Sequence, residues 1–125
     1  MNTAYWCVVI VMTLPYLWAV AATLPGFSLA GNLRPRITAQ TYTGWRQRAH
    51  WAHLNALESV APFSAAVIIA HLLGVPPEKI NPLAMAFVGF RLAHAFAYLA
   101  NLGALRSLMW LGGAGCIIAL FVAAA

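Results

Sequence analysis

Residues 3–24 read TAYWCVVIVMTLPYLWAVAATL, an unbroken apolar run without one charged side chain. At about 1.5 Å of rise per helical residue, this stretch crosses a bilayer hydrocarbon core of about 30 Å. It is therefore read as a membrane-spanning helix, and Pro15 near its middle predicts a kink. A cleaved signal peptide is the rival reading, because Ala19-Val20-Ala21 resembles a small-residue cleavage site. A signal needs a basic segment before its apolar core, and no basic residue precedes Arg34.

Beyond this run, residues 26–44 turn polar and are punctuated by Gly26, Gly31, Asn32, Pro35 and Gly44, which predicts a loop of about 19 residues. Spans two, three and four are expected at about 45–73, 81–101 and 105–124. The second exceeds the bilayer thickness, so its Arg46/Arg48/His50 end projects into water, and Gly74-Val75-Pro76-Pro77 stops its other end. Leu102-Gly103-Ala104 is a connection so short that the last two helices must run antiparallel. The expectation is one all-α domain over residues 1–125, an integral membrane four-helix bundle without internal repeats.

Composition agrees. Hydrophobic residues make up 63% of the chain and charged residues 7%, against roughly 25% charged in a soluble domain. Mean hydropathy is +0.81. The net charge of +5 does not indicate nucleic acid, because these few arginines lie between apolar runs and form no basic face on a soluble surface. Cys7 and Cys116 lie inside apolar segments without ligand spacing and read as small buried hydrophobes. Arg34, Arg36, Arg46, Arg48 and Arg106 flank the first and third connections, whereas the second holds only Lys79 beside Glu78. The positive-inside rule therefore puts both termini on the non-cytoplasmic side. With no transit segment in view, a bacterial cytoplasmic membrane is the expected location. Tyr5, Trp6, Trp45 and Trp110 suit the aromatic belts at the two interfaces.

Several residues do not suit a lipid-facing helix. Glu58 falls inside the second span, and Arg91, His94 and Tyr98 inside the third, where a charged side chain facing lipid costs at least about 2.5–3.5 kcal/mol. They must face protein or water. Arg91, His94 and Tyr98 are spaced i, i+3, i+7 and share one helix face, and Asn55 with Glu58 forms an i, i+3 pair on another. Counted from the cytoplasmic ends, Tyr98, His94 and Arg91 step inward by about 4 to 15 Å, and Glu58 lies about 9 Å in. Arg106 and Ser107 enter at the same level on the fourth helix, so three helices direct polar groups at one region.

Structural roles compete with functional ones. Glu58 and Arg91 read as a buried ion pair fixing helix register, with Asn55, His94 and Tyr98 supplying hydrogen bonds. A carboxylate in that position can also receive a ligand amine. Arg106 by position alone is a topology signal that snorkels to the headgroups. His50 and His53 are expected along the wet end of the second helix and His71 near the opposite interface. No histidine spacing matches a zinc motif, so no metal site is expected.

The motifs Arg48-Ala49, Ala52-His53-Leu54-Asn55-Ala56-Leu57-Glu58 with Pro62-Phe63, Arg91-Leu92-Ala93-His94-Ala95-Phe96-Ala97-Tyr98 and Leu105-Arg106-Ser107 together resemble the MAPEG family. These are the membrane-associated proteins in eicosanoid and glutathione metabolism. The likeness is dense from about Arg46 to Gly112 and closest in character to bacterial members. It implies a homotrimer that binds glutathione as cosubstrate between neighbouring protomers near the cytoplasmic side. It further implies that Asn55, Glu58, Arg91, His94 and Tyr98 belong to the glutathione site, that Arg106 and Ser107 sit at the thiol, and that Arg34 or Arg36 meets a glutathione carboxylate. The activity implied is that of a transferase or peroxidase acting on a lipophilic electrophile from the bilayer, with the Arg106 guanidinium favouring the thiolate.

Two positions depart from the pattern of eicosanoid-forming members: Leu54 stands where they have an arginine, and Trp110 where they have a tyrosine. An indole donates a hydrogen bond but cannot act as a general acid, so chemistry needing that phenol is not expected. Two other function classes fit four spans with polar residues. One is a non-catalytic binding or structural membrane protein of the same fold. The other is a small proton-coupled exporter, disfavoured because its carboxylate is expected in the first helix and because Arg91 would keep Glu58 ionised.

Overall fold

The computed structural model covers residues 1–125 and is entirely helical. Four long helices account for most of the chain: α1 (Thr3–Thr23), α4 (Gly44–Leu72), α5 (Pro77–Leu99) and α6 (Gly103–Ala124). Two short ones, α2 (Leu29–Asn32) and α3 (Pro35–Ala39), follow a 3-10 turn at Leu24–Gly26. Each of the four long helices has the length and apolar composition needed to cross a membrane.

Each boundary has a local cause. Asn2 caps α1 by accepting a hydrogen bond from the Tyr5 amide at 3.2 Å, and Asn81 Oδ1 accepts from the Ala4 amide at 3.1 Å. Both bonds satisfy amide groups that the first helical turn leaves without partners. At the end of α4, Gly74 takes the left-handed conformation at φ 75°, and the Val75 amide reaches back to the Ala70 carbonyl at 3.0 Å. That is the six-to-one bond of a Schellman cap. Asn101 does the same at the end of α5, with φ 60° and the Leu102 amide bonded to the Ala97 carbonyl at 2.8 Å. Asparagine is the non-glycine residue best suited to that conformation.

Two expectations need correction. The third long helix begins at Pro77 rather than at about Asn81, because Pro76 is the N-cap and Pro77 sits where the missing N–H is no loss. Pro82 then lies inside the helix without ending it. The segment between the first two spans is not an irregular loop. Ser28 caps α2 by accepting from the Gly31 amide at 3.0 Å, Pro35 starts α3, and Thr38 Oγ1 donates to the Gly31 carbonyl at 2.8 Å. A Cβ at Gly31 would lie 2.9 Å from Ser28 Oγ and 3.2 Å from Thr38 Cγ2, so glycine is what lets the two short helices fold onto each other.

Helix α1 packs on α4, α6 packs on α5, and α4 and α5 meet across the centre of the bundle. Small residues, including Ala49, Ala52, Ala56, Ala66, Ala70, Ala84 and Ala97, are buried within the bundle. Small side chains let backbones approach closely, and this is how helices associate where lipid removes the usual hydrophobic drive. Phe63 and Phe87 fill the middle, stacked with ring centroids 4.1 Å apart and 8° between planes. Only 25 of 125 residues are buried, and Leu17, Val20, Ile68, Leu72, Ile118 and Val122 point outward. Lipid is the environment that accepts such an apolar exterior.

Candidate functional site

Helices α4, α5 and α6 bring all seven polar residues singled out above into two adjoining recesses. The outer recess, about 420 Å³, is lined by Asn55, His94, Tyr98, Arg106, Ser107, Trp110 and Leu111. The inner one, about 150 Å³, is bounded in part by Asn55, Glu58, Ser59, Arg91 and Trp110. Asn55 and Trp110 belong to both.

Topology produces the outer recess. The turn between α5 and α6 is so short that the first turn of α6 must lie against the last turn of α5, and this puts Arg106 beside Tyr98. The guanidinium carbon of Arg106 stands 4.7 Å from the centroid of the Tyr98 ring, a cation–π contact. His94, one turn back from Tyr98, meets that ring edge-on at 5.5 Å and 71°. Its side chain is 2% exposed, and Nδ1 has no hydrogen-bond partner in the protein.

The inner recess corrects the expected ion pair. Arg91, 5% exposed, donates from Nη2 to Asn55 Oδ1 at 2.8 Å and forms no salt bridge with Glu58. Asn55 lies one helical turn before Glu58, and its amide oxygen is the acceptor that Arg91 reaches. The Glu58 carboxylate is left exposed on the protomer while still lining the recess with Arg91. The site thus has a carboxylate at one end and the free guanidinium of Arg106 at the other, suiting a ligand with both a cationic and an anionic group.

Trp110 carries more than the interfacial role expected for it. It lies one turn after Arg106, is half-exposed, and lines both recesses. The i, i+4 spacing from Arg106 was the available signal for this placement. Ser59 was not singled out; its hydroxyl donates to the Ala56 carbonyl at 2.8 Å while it lines the inner recess.

Arg34 and Arg36 do not reach these recesses within the protomer. Arg36 lines a separate cavity with His50 and His53 under the short helices. His53 Nδ1 donates to the Pro15 carbonyl at 2.8 Å and ties α4 to α1. His71 pairs with Asn2 and stacks on Tyr5 with centroids 4.5 Å apart, at the opposite end of the bundle from Arg106. No three histidine, cysteine or carboxylate side chains come together in a metal-binding arrangement.

Comparison with sequence models of protein families gives a match to the MAPEG family over residues 3–125, essentially the whole chain. No functionally curated protein matches this chain. No solved structure matches it. The match includes the first span and the short helices, where motifs alone give a likeness only of character. A helical membrane protein with these motifs in this order along its four long helices, matched from Thr3 to the last residue, belongs to the MAPEG family.

Proposed function

We propose that this protein is a membrane-bound glutathione-dependent transferase or peroxidase acting on a lipophilic electrophile. The observation that carries this reading is the outer recess itself: the Arg106 guanidinium, held over Tyr98 and free of any carboxylate partner, lines it together with Asn55, His94 and Ser107.

The residues fit the cosubstrate. Glutathione brings one amine and two carboxylates as well as a thiol, and the site offers a carboxylate, an amide, an imidazole and a guanidinium. Asn55 and Glu58 would hold its polar parts, Arg91 would keep Asn55 in place, and His94 with Tyr98 would line the cavity around it. When bound, glutathione supplies a thiolate nucleophile, and the task of the protein is to favour that ionised form. Arg106 does so by charge, since a nearby cation lowers a thiol pKa. Ser107, exposed beside Arg106, is placed to donate a hydrogen bond to negative charge that develops on the acceptor. Trp110 gives the acceptor an apolar wall.

Assembly as a homotrimer is part of this proposal. Glu58 is exposed on the protomer at a depth where lipid would surround it, and so are Trp51, Leu54 and Leu57 on the same helix. A neighbouring copy packed on this side of α4 would remove the carboxylate from lipid and close the recess. The basic residues favour a site opening to the cytoplasmic side, with both termini opposite it, in the inner membrane of a bacterial cell.

The test is the ultraviolet difference spectrum of thiolate on adding glutathione to the purified protein in detergent. Thiolate absorbance that disappears with Arg106→Ala is the expected result. A wild-type protein that neither binds glutathione nor generates thiolate, although intact as an oligomer, would leave the non-catalytic reading of the same fold in its place.

A further inference from the structure

Three contacts join one stripe of α4 to the end of α5. Arg48 Nε donates to the Leu99 carbonyl at 3.1 Å, the Trp51 ring meets the Tyr98 ring with centroids 6.4 Å apart, and Asn55 accepts from Arg91. Arg48, Trp51 and Asn55 are spaced i, i+3, i+7, so one face of α4 supplies all three. Their partners run in the opposite order along α5, as antiparallel helices require.

Helix α5 ends at Leu99, and a helix leaves its last four carbonyls without intrahelical donors. The amides of Ala100, Asn101 and Leu102 bond to the carbonyls of Phe96, Tyr98 and Ala97. The Leu99 carbonyl is reached from another helix, by Arg48, and a cation is the group that the negative end of a helix favours. The Leu99 side chain packs against the small core of Ala22, Tyr42 and Ala49, and Ala49, fully buried, follows Arg48 in the chain. Helix α4 thus holds Leu99 by both its carbonyl and its side chain.

This attachment adjoins the proposed thiol site. Tyr98 precedes Leu99, and only Ala100, Asn101 and Leu102 separate Leu99 from the start of α6. Asn101 is left-handed at φ 60°, and the Arg106 amide bonds to the Leu102 carbonyl at 3.0 Å. One hydrogen-bonded turn therefore leads from the Leu99 carbonyl to Arg106, whose guanidinium carbon stands 4.7 Å from the centroid of the Tyr98 ring. Arg48 lines neither recess, so it acts on the site through that turn.

We infer that Arg48 is a positioning residue: by holding the C-terminus of α5 against α4, it sets where Arg106 stands over Tyr98 and thereby how far a bound thiol ionises. The consequence for the thiol rests on the glutathione reading above; the placement of Arg106 does not. Arg46 serves as a control within the same helix. It makes the equivalent bond to the end of α1, from Nε to the Ala22 carbonyl at 2.8 Å, with its guanidinium 4.2 Å from the centroid of the Tyr42 ring. Both arginines fasten α4 to a neighbouring helix end, but only Arg48 fastens the end that leads to Arg106.

The experiment combines two readouts on the detergent-purified full chain. One is the Arg106 Nε–H magnetic resonance signal, displaced by the ring current of Tyr98, assigned with Arg106→Ala and recorded without glutathione. The other is a pH titration of thiolate absorbance at saturating glutathione. In Arg48→Gln the signal should move towards that of free arginine, and thiolate at a fixed pH should fall about tenfold, since an adjacent opposite charge moves a pKa by about 1–3. Arg46→Gln should lower the unfolding temperature similarly and change neither readout. Arg48→Lys keeps a cation at the helix end without the Nε–H, which preserves the fold, and should move the signal in the same direction. A signal that stays in place in both Arg48 variants, that moves as far in Arg46→Gln, or that moves while the thiolate titration does not, overturns the inference. A wild type that binds no glutathione defeats the catalytic reading instead, and the resonance then decides the placement of Arg106 by itself.

Discussion

Arg106 and Tyr98 sit on different helices, yet the guanidinium carbon of one lies 4.7 Å from the ring centroid of the other. The flat face of the phenol therefore determines where the cation is held, and the phenolic hydroxyl does not. Tyr98→Phe should preserve thiolate formation, whereas Tyr98→Ala should weaken it because Arg106 loses the surface it rests on. Arg106→Ala should cost about 100-fold in glutathione-dependent turnover, the scale seen when one donor to a developing anion is removed. Steady-state rates measured alongside the thiolate spectrum distinguish the positioning effect from the charge effect.

The bond from Arg91 to Asn55 makes a second prediction. Asn55→Ala leaves a guanidinium that is 5% exposed without its acceptor, a loss of about 1.5–3 kcal/mol for a hydrogen bond to a charged group. Asn55→Asp keeps an acceptor and should recover most of the stability. Thermal unfolding in detergent reads both; equal stability of Asn55→Ala and wild type would show that Arg91 finds another partner.

Gly112 faces the Phe90 ring so closely that a Cβ would come within 3.0 Å of it, with Cδ1 at 2.6 Å. Gly112→Ala should therefore loosen the α5–α6 pair by about 1–3 kcal/mol, the usual cost of overpacking. Phe90→Leu in the same chain should restore part of it by removing the ring. Gly115, whose surroundings are open, should accept alanine with no such penalty, and the two substitutions compared in one unfolding assay isolate the steric term.

Trp110 lines both the outer recess and the inner one. Trp110→Ala should remove the apolar wall, raising KM for a lipophilic acceptor roughly 5- to 150-fold, an effect of about 1–3 kcal/mol for lost apolar contact in a pocket. Thiolate absorbance should persist, because the cation at Arg106 is untouched. A variant with unchanged KM would place the acceptor elsewhere.

The sequence by itself determined the membrane as solvent, the number of long helices and the level at which the polar residues gather. Each follows from a local property: apolar run length against bilayer thickness, and helical spacing along one face. The i, i+3, i+7 pattern of Arg91, His94 and Tyr98 was enough to put them on one stripe, and the short turn before Arg106 was enough to bring that helix end to them. Tertiary structure decided who pairs with whom. Whether Arg91 takes Glu58 or Asn55 depends on the approach and rotation of α4 against α5, which no spacing along one helix reveals. The short helices after α1 depend on backbone caps at Ser28 and on glycine at Gly31, signals weaker than a hydrophobic period. The separation of Arg36 from Arg106 into different chambers is likewise a matter of packing, because residues far apart in the chain acquire a common cavity only when the helices carrying them are assembled.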